Sequence, residues 1–491
     1  MKLRYLVIFA LLLLFAACNG GDDVIEEVNE SMNITVLETI IDEEDEEEIE
    51  TQNGETLHVP DYIINLEINP YEQTVHGAQR VTFQNNFSYA LDRVFLNLPF
   101  NAFSAEQMDI TLATINLNPA EFSLEGTLLT IYLEEELASG VVADIGLIFE
   151  ATVPQTGHFT GGNDHAMWFG NFIPTLAVQK GDQWHIHPHY PIGRPFFTAS
   201  ANFHVNITVP QGFVVIAPGA EARTETKYGI TTSAEVRLAR DFAFALLSDV
   251  YNSRYVFMDN GMSIGIHYSN DFEDENHIDN ILITAQTAFD YFAHRIGALP
   301  YQTFDIIEIQ LPMHISMKFP SMTFADEGLF RTPVIHNAIA RDIGHQWFYN
   351  VVGNNPVTEP WLAHGLVDFL QLGLTMDEED VDRFMRGVHA NLTRATANME
   401  YTELFRGLGY YDSWLYFNRI QHQRGSLLFY SLWQRMGPEV FDDFVRSYYQ
   451  RYAFSIAASD GLIVVAEEIY GASLEDFFYE WINSPGLPGL E

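Results

Sequence analysis

The chain has 491 residues, a length typical of two or three domains rather than one. Its formal net charge is -43, with 67 acidic residues against 24 basic ones. This charge excludes nucleic acid as a partner and disfavours direct adhesion to an anionic membrane surface. Apolar residues make up 47% of the chain, which is enough for large packed cores.

The N-terminus has the pattern of an export signal followed by a lipid-attachment cysteine. A basic start precedes an apolar run, Tyr5 to Phe15, that is too short to span a bilayer. The run ends in "LFAAC", where small residues directly before Cys18 resemble a lipobox. Because Cys18 is the only cysteine, it has no partner for a disulfide within the chain. We predict a signal peptide at residues 1–17 and lipid attachment at Cys18, which would anchor the exported protein to the outer face of a bacterial-type membrane. A plain secreted protein is the alternative.

Residues 18–56 are predicted to form an acidic tether. The segment contains the run "DEEDEEEIE", whose charges repel one another and whose apolar content is too low for independent folding. A solvated linker is favoured over a calcium site, because the segment has no recognisable ligand loop.

Residues 57–255 have the pattern of β-strands. In "YIINLEIN", Ile64, Leu66 and Ile68 alternate with polar residues, which is the period of a half-buried strand. Similar runs follow in "RVTFQNN", "RVFLNLPF" and "FHVNITVPQGFVVIAPG". We therefore predict an N-terminal β domain over 57–255.

Residues 256–491 have the pattern of helices. The runs "HIDNILITAQTAFDYFAHRIG" and "SLLFYSLWQRMGPEVFDDFVRSYYQRY" are long and amphipathic. Ser473 is predicted to be the N-cap of the last helix, "LEDFFYEWINS". A mainly α-helical second domain is expected.

Four further segments carry a family resemblance. They are "WFGNFIPTLAVQKGDQWHIHPHYPIGRPFF", "HQWFYNVV", "PWLAHG" and "RGSLLFYSLWQRMG". In this order they resemble the zinc aminopeptidases related to aminopeptidase N, within the gluzincin group, from about residue 57 to residue 491. The resemblance implies a multidomain β + α fold. An N-terminal saddle-like β-sandwich domain would precede a thermolysin-like, mainly α-helical catalytic-type domain.

The segment "IARDIGHQWFYN" resembles the zinc helix of this family, but its ligand positions are substituted. The family carries HExxH, in which the two histidines lie one helical turn apart and face the same way. Here Arg341 stands at the first ligand position and His345 at the second. The family's third ligand is a Glu nineteen positions after the second His, and His364 stands there. The register is intact, although two of the three ligand positions have changed.

The substituted positions disfavour a metal site. A catalytic zinc ion needs three protein ligands and an open position for water, whereas a guanidinium has no lone pair to donate. His336 is nine helical steps from His345 and lies on the opposite face, so it is no substitute ligand. We predict no resident metal, with His345 and His364 as buried core residues and Arg341 paired to a carboxylate. Zinc held by His345 and His364 is the alternative.

The remaining family positions are also changed. Asp342 stands at the general-base position and is one methylene shorter than the family's Glu. In "ISMKFP", Met317 and Lys318 stand where the resemblance implies substrate binding, and Lys318 replaces a Glu that holds the peptide's free α-amino group. His422, in "HQRG", replaces the tyrosine that stabilises the oxyanion. A protonated imidazole at His422 would donate a similar hydrogen bond, so this change alone permits catalysis.

A second group of histidines lies in "HIHPH". His185, His187 and His189 occur at period two and would face one way in a strand. A metal site there is disfavoured, because Pro188 interrupts the strand and no acidic residue is adjacent.

These observations predict a membrane-tethered, catalytically defective peptidase homologue whose cleft still binds a peptide or protein partner. Two alternatives remain open. One is an active zinc metallopeptidase with rewired ligands, and the other is a purely architectural envelope lipoprotein.

Overall fold

The structure is a computed structural model. It describes residues 37, 49–50, 56–102, 108–155, 157–226, 229–311, 315–399 and 401–490. The predicted signal peptide and Cys18 lie outside the described residues, as does most of the predicted tether. Within the described ranges, none of the helices is long and apolar enough to cross a bilayer.

The N-terminal domain consists of strands. These are β1 (Ile49–Glu50), β2 (Thr56–Leu57), β3 (Asp61–Asn69), β4 (Thr74–Gln84), β5 (Leu91–Asn97), β6 (Met108–Ile115), β7 (Asn118–Pro119), β8 (Phe122–Glu125), β9 (Leu128–Leu137), β10 (Val142–Thr152), β11 (Thr160–Gly162), β12 (Ala166–Phe169), β13 (Thr175–Leu176), β14 (Val178–Lys180), β15 (Gln183–His185), β16 (Ala201–Val209), β17 (Phe213–Ile216), β18 (Ala220–Thr226), β19 (Gly229–Ala239) and β20 (Phe244–Ser248).

Among the described residues, the strands form one large sheet, two four-stranded sheets and two two-stranded sheets, β1-β2 and β14-β15. The large sheet has eight strands in the order β18-β19-β16-β3-β4-β10-β6-β7. The two four-stranded sheets have the orders β11-β12-β20-β17 and β13-β5-β9-β8. In β3 the buried residues include Ile64, Leu66 and Ile68, so the predicted alternation is confirmed.

The second domain combines a sheet with helices. Its strands are β21 (Tyr251–Phe257), β22 (Ser263–Ser269), β23 (Thr303–Ile309), β24 (Ser316–Phe319), β25 (Met322–Asp326), β26 (Gly353–Asn354) and β27 (Ile456–Ala457). Its α-helices are α1 (Glu275–Ile296), α2 (Glu327–Phe330), α3 (Ile335–Trp347), α4 (Trp361–Leu370), α5 (Glu378–Thr396), α6 (Trp414–Phe417), α7 (Gly425–Met436), α8 (Pro438–Tyr452), α9 (Ser459–Tyr470) and α10 (Glu475–Asn483). A π-helix spans Asn418–Arg424 and leads into α7.

The five-stranded sheet of this domain is a feature that the helical pattern did not predict. Its order is β21-β22-β23-β25-β24. Strand β21 crosses the expected domain boundary at residue 255 and pairs with β22, so the sheet of the second domain begins at Tyr251. In β23 all residues from Phe304 to Ile309 are buried. A strand buried on both faces lacks polar alternation, which is why the pattern was missed.

Two local expectations need correction. Leu37 belongs to the predicted tether, but its side chain is buried against Ala78 and Leu112, so the tether is not solvated throughout. Helix α10 has Leu474 rather than Ser473 at its N-cap position. The Glu467 carboxylate accepts hydrogen bonds from the Leu474 N–H at 2.6 Å and from the Ser473 hydroxyl at 2.9 Å. The Ser473 hydroxyl itself accepts a hydrogen bond from the Glu475 N–H at 3.3 Å, so Ser473 still contacts the first turn of the helix.

Glycines allow the site-bearing helices to lie close together. A Cβ atom on Gly344, in α3, would lie 2.8 Å from side-chain atoms of Phe292 and Val367. A Cβ atom on Gly365, in α4, would lie 2.6 Å from the carbonyl carbon of Gly425 at the start of α7. Real Cβ atoms do not approach so closely. These contacts bring α4 against both α3 and the start of α7.

Candidate active site

Three histidines from separate segments meet at the centre of the second domain. His345 lies on α3, His364 on α4 and His422 in the π-helix. The ring centroids of His345 and His364 are 5.3 Å apart, and His422 stacks on His364 at 4.3 Å. The nineteen-residue spacing and the "HQRG" segment therefore bring the predicted positions together.

His345 and His364 are neutral, and each has a buried nitrogen without a hydrogen-bond partner. The Nδ1–H of His345 donates to the Phe348 carbonyl at 3.1 Å, which leaves Nε2 with a free lone pair. In His364 the unpaired nitrogen is Nδ1. Burial lowers the pKa of His345 well below its usual value, and the nearby charges of Lys318 and Arg341 add to this effect. Burial, then the charges of His422 and Lys318, do the same to the pKa of His364.

Arg341 projects from α3 one turn before His345, where the family's first ligand would lie. Its side chain is 32% exposed, and its Nε lies 3.8 Å from Oδ1 of Asp342. The predicted pairing of Arg341 with a carboxylate is therefore a loose contact, without a hydrogen bond to Nε. Asp342 is fully buried, and its Oδ2 accepts a hydrogen bond from the Thr323 hydroxyl at 2.8 Å.

This set of donors does not fit a catalytic zinc ion. The imidazoles of His345 and His364 offer lone pairs, but the first ligand position holds a fixed cation, Arg341. In the part of the chain that the structure describes, no group of three or more His, Cys, Asp or Glu residues is placed to hold a metal. His336 faces away from the site, since its Nδ1 lies 2.7 Å from the Thr284 hydroxyl on α1.

A cleft opens beside these residues, with a cavity of about 430 Å³. Lys318 and Met317, from β24, line it together with Arg341, His364 and His422. The Lys318 side chain is half-buried. Burial, followed by the charge of Arg341, lowers its pKa to about 7. The cleft wall thus has two cations where an aminopeptidase, by resemblance, has a carboxylate and a metal.

Asp368 is a site residue that the sequence analysis missed. Its Oδ2 accepts a hydrogen bond from Nδ1 of His422 at 2.6 Å. Burial raises the pKa of Asp368, but the charge and hydrogen bond of His422 outweigh it and hold this pKa below its usual value. Asp368 lies four residues after His364 on α4, so the i, i+4 spacing was the available signal.

Arg194, from the N-terminal domain, is a second missed residue. Its Nη1 donates a hydrogen bond to the Lys318 carbonyl. Its guanidinium packs over the rings of Phe319 and Tyr349, at 4.6 Å and 4.8 Å from their centroids. The N-terminal domain therefore contributes a cation to the cleft wall.

The histidines of "HIHPH" surround a separate cavity of only about 30 Å³. The rings of His185 and His187 are 6.4 Å apart. The amide nitrogen of Asn355 donates to Nε2 of His187 at 3.0 Å, if that nitrogen carries the lone pair. His189 lies against Phe196 instead.

Comparison with known proteins identifies the second domain. Residues 324–481 match the peptidase family M1 domain. Most of the second domain is therefore similar to peptidase family M1. The predicted resemblance to aminopeptidase N-like gluzincins is thereby confirmed.

Similarity to M1 proteins extends over both domains. Human aminopeptidase RNPEPL1 is 26% identical over 209 residues, covering 36% of this chain and 27% of its own length. Aminopeptidase N of Streptomyces lividans is 20% identical over 306 residues, covering 58% of this chain and 36% of its own. This chain thus spans about a quarter to a third of these relatives.

A solved structure shares the fold. The crystal structure of an M1 zinc metallopeptidase from Deinococcus radiodurans is 16% identical, with a TM-score of 0.65. The match covers 88% of this chain and 96% of that one. The predicted order, an N-terminal β domain followed by a mainly helical domain, is confirmed as the M1 fold.

Proposed function

We propose that this protein is a catalytically defective M1 homologue whose cleft binds a peptide or protein partner without cleaving it. The proposal rests above all on Arg341. A permanent cation at the first ligand position opposes a dication, and the two neutral imidazoles are one donor short of a catalytic zinc site.

The position of Asp342 supports the loss of catalysis. A general base must reach the proton of the attacking water. Asp342 is fully buried, with one oxygen engaged by Thr323 and the other directed toward Arg341. The Oδ1 atom has no hydrogen-bond partner, but it is buried 3.8 Å from the Arg341 Nε, and Asp342 does not line the cleft in which a water would be activated.

The size and lining of the cleft support binding. A cavity of about 430 Å³ falls within the range of ligand sites, which is about 300–1,000 Å³. Apolar side chains such as Phe159, Leu329 and Phe417 line it together with the charged groups. This combination suits a peptide, whose side chains are buried while its polar ends are hydrogen-bonded.

Location is a further part of the proposal. The "LFAAC" sequence supports lipid attachment at Cys18 and a tethered protein on the outer face of a bacterial-type membrane. The acidic segment after Cys18 would hold the folded domains away from the surface.

Metal content and hydrolysis test the proposal together. The purified protein is stripped with a chelator, incubated with equimolar zinc and separated from free metal, and aminoacyl reporter hydrolysis is then measured. We expect neither retained zinc nor hydrolysis. A specific observation favours the rewired enzyme as the rival, namely the unpaired buried nitrogens of His345 and His364. Stoichiometric zinc and hydrolysis that both disappear in His345→Ala and His364→Ala would establish that rival.

A further inference from the structure

We propose that the cleft recognises the C-terminal carboxylate of a peptide, through Lys318 and Arg341. A bound peptide would then run in the opposite direction to an aminopeptidase substrate, whose amino end enters first. This inference rests on the proposed function, because the occupant is a peptide that is bound and not cleaved.

The two cations line one cavity, and their hydrogen-bonding capacity is unused. Lys318 reaches the cleft from β24 and Arg341 from α3. Within the described ranges, the Lys318 ammonium has no hydrogen bond or ion pair, and Arg341 has only the 3.8 Å contact with Asp342. An ammonium has three N–H donors and a guanidinium has five. Burying a cation without a hydrogen-bond acceptor costs free energy, because the group loses water contacts that nothing replaces. A carboxylate that enters the cleft would supply acceptor lone pairs to both cations.

The nearby carboxylates do not fill this role. Asp342 lies beneath the cavity wall, fully buried and bonded to Thr323. Asp368 is engaged by His422 at 2.6 Å. Arg194 adds a third positive charge behind Lys318, since it donates to the Lys318 carbonyl. After burial, the Arg341 charge is the largest contribution to the lowered pKa of Lys318, and the charges of Asp342 and Asp368 oppose it.

The remaining walls specify the rest of the ligand. Met317, Phe159, Leu329 and Phe417 present apolar surface to the same cavity, and Trp414 lies at its rim with 43% of its surface exposed. A free inorganic anion would leave this surface unfilled. A peptide that ends in an apolar residue would place its carboxylate on the cations and its last side chain against these walls.

Calorimetry with three N-acetylated peptides tests the inference. All share one apolar sequence. The first ends in a free carboxylate, the second in an amide, and the third in an amide after a terminal glutamate, so that its carboxylate is on a side chain. With the full-length protein, we expect the free acid to bind about tenfold or more tightly than the amide, because a charge-assisted hydrogen bond is lost.

Variants assign the effect to the two cations. Lys318→Met and Arg341→Met should each reduce the preference for the free acid severalfold, while Lys318→Arg should retain it. Arg383→Met makes the same charge change on α5, where Arg383 is exposed and paired with Glu379, and should leave the preference unchanged. Circular dichroism checks that each variant is folded.

The outcomes separate this inference from the function it rests on. If acid and amide bind equally well, the carboxylate assignment is wrong and the peptide-binding cleft stands. If the glutamate amide binds as tightly as the free acid, recognition of the chain end is overturned. If no peptide binds, the proposed peptide-binding function fails as well.

Discussion

Arg341→His should convert the second domain into a zinc-binding protein. The substitution removes the guanidinium and places a third imidazole one turn before His345. A tetrahedral zinc ion binds imidazole nitrogens at about 2.0–2.1 Å, which places two ligand ring centres about 5 Å apart. The rings of His345 and His364 are 5.3 Å apart, so this pair already has a suitable separation.

The expected gain in affinity is large. A unit charge and a dication 4 Å apart repel each other by about 8 kcal/mol at an effective dielectric constant of 20. If solvent and Asp342 screen all but a third of this repulsion, about 2.7 kcal/mol remains, which corresponds to about 100-fold in affinity. The added imidazole should increase the affinity further. Arg341→Met serves as the control, because it removes the charge without adding a donor.

Competition against a chromophoric chelator would measure the three affinities. We expect zinc to bind most weakly to the unaltered protein, more tightly to Arg341→Met and most tightly to Arg341→His. Aminoacyl hydrolysis should remain poor in Arg341→His, since Asp342 stays buried and Lys318 still faces the cleft. Equal affinity of Arg341→His and Arg341→Met would refute the idea that position 341 can complete a three-nitrogen site.

Three further predictions follow from other parts of the chain. The native protein should begin at a lipid-modified Cys18, which mass spectrometry detects; Cys18→Ala with unchanged membrane retention would contradict this. By calorimetry, the Lys318→Glu variant should bind peptides with a free α-amino group more tightly than their N-acetylated forms, and the unaltered protein should show the reverse. Tighter binding of the free amine by the unaltered protein would count against the role of Lys318. Binding of the free-acid peptide should also depend on pH. The Lys318 pKa of about 7 should rise when a carboxylate binds, because the bound charge favours the protonated amine. The contribution of Lys318 to the binding free energy is therefore fully present below pH 7 and is lost as the pH rises through the higher pKa of the complex. A titration of affinity from pH 6 to pH 9 should therefore decline, and Lys318→Met should flatten it; an equally steep decline in Lys318→Met would assign the effect to another group.

Local periodicity explains what the sequence predicted well. The alternation in β3 follows from its two differently exposed faces, and it matches the observed burial. On α3, a spacing of four residues places Arg341 and His345 on one face, while a spacing of nine turns His336 toward α1. Such relations depend only on helix or strand geometry, so they can be worked out before any tertiary contact is known.

The tertiary structure decided the contacts that join distant segments. His422 and Asp368 are 54 positions apart, and Thr323 and Asp342 are 19 apart, yet each pair is hydrogen-bonded. No local period connects such residues, because their distance is set by how α4 packs against the π-helix and how α3 packs against the sheet. The sequence by itself determined which residue types occupy the family's site positions. The packing of those elements determined that Asp342 is buried and hydrogen-bonded to Thr323. It also determined that Lys318 and Arg341 line the cleft. Sequence spacing could not show this, because the burial and charge pairing of a side chain depend on neighbours from distant segments.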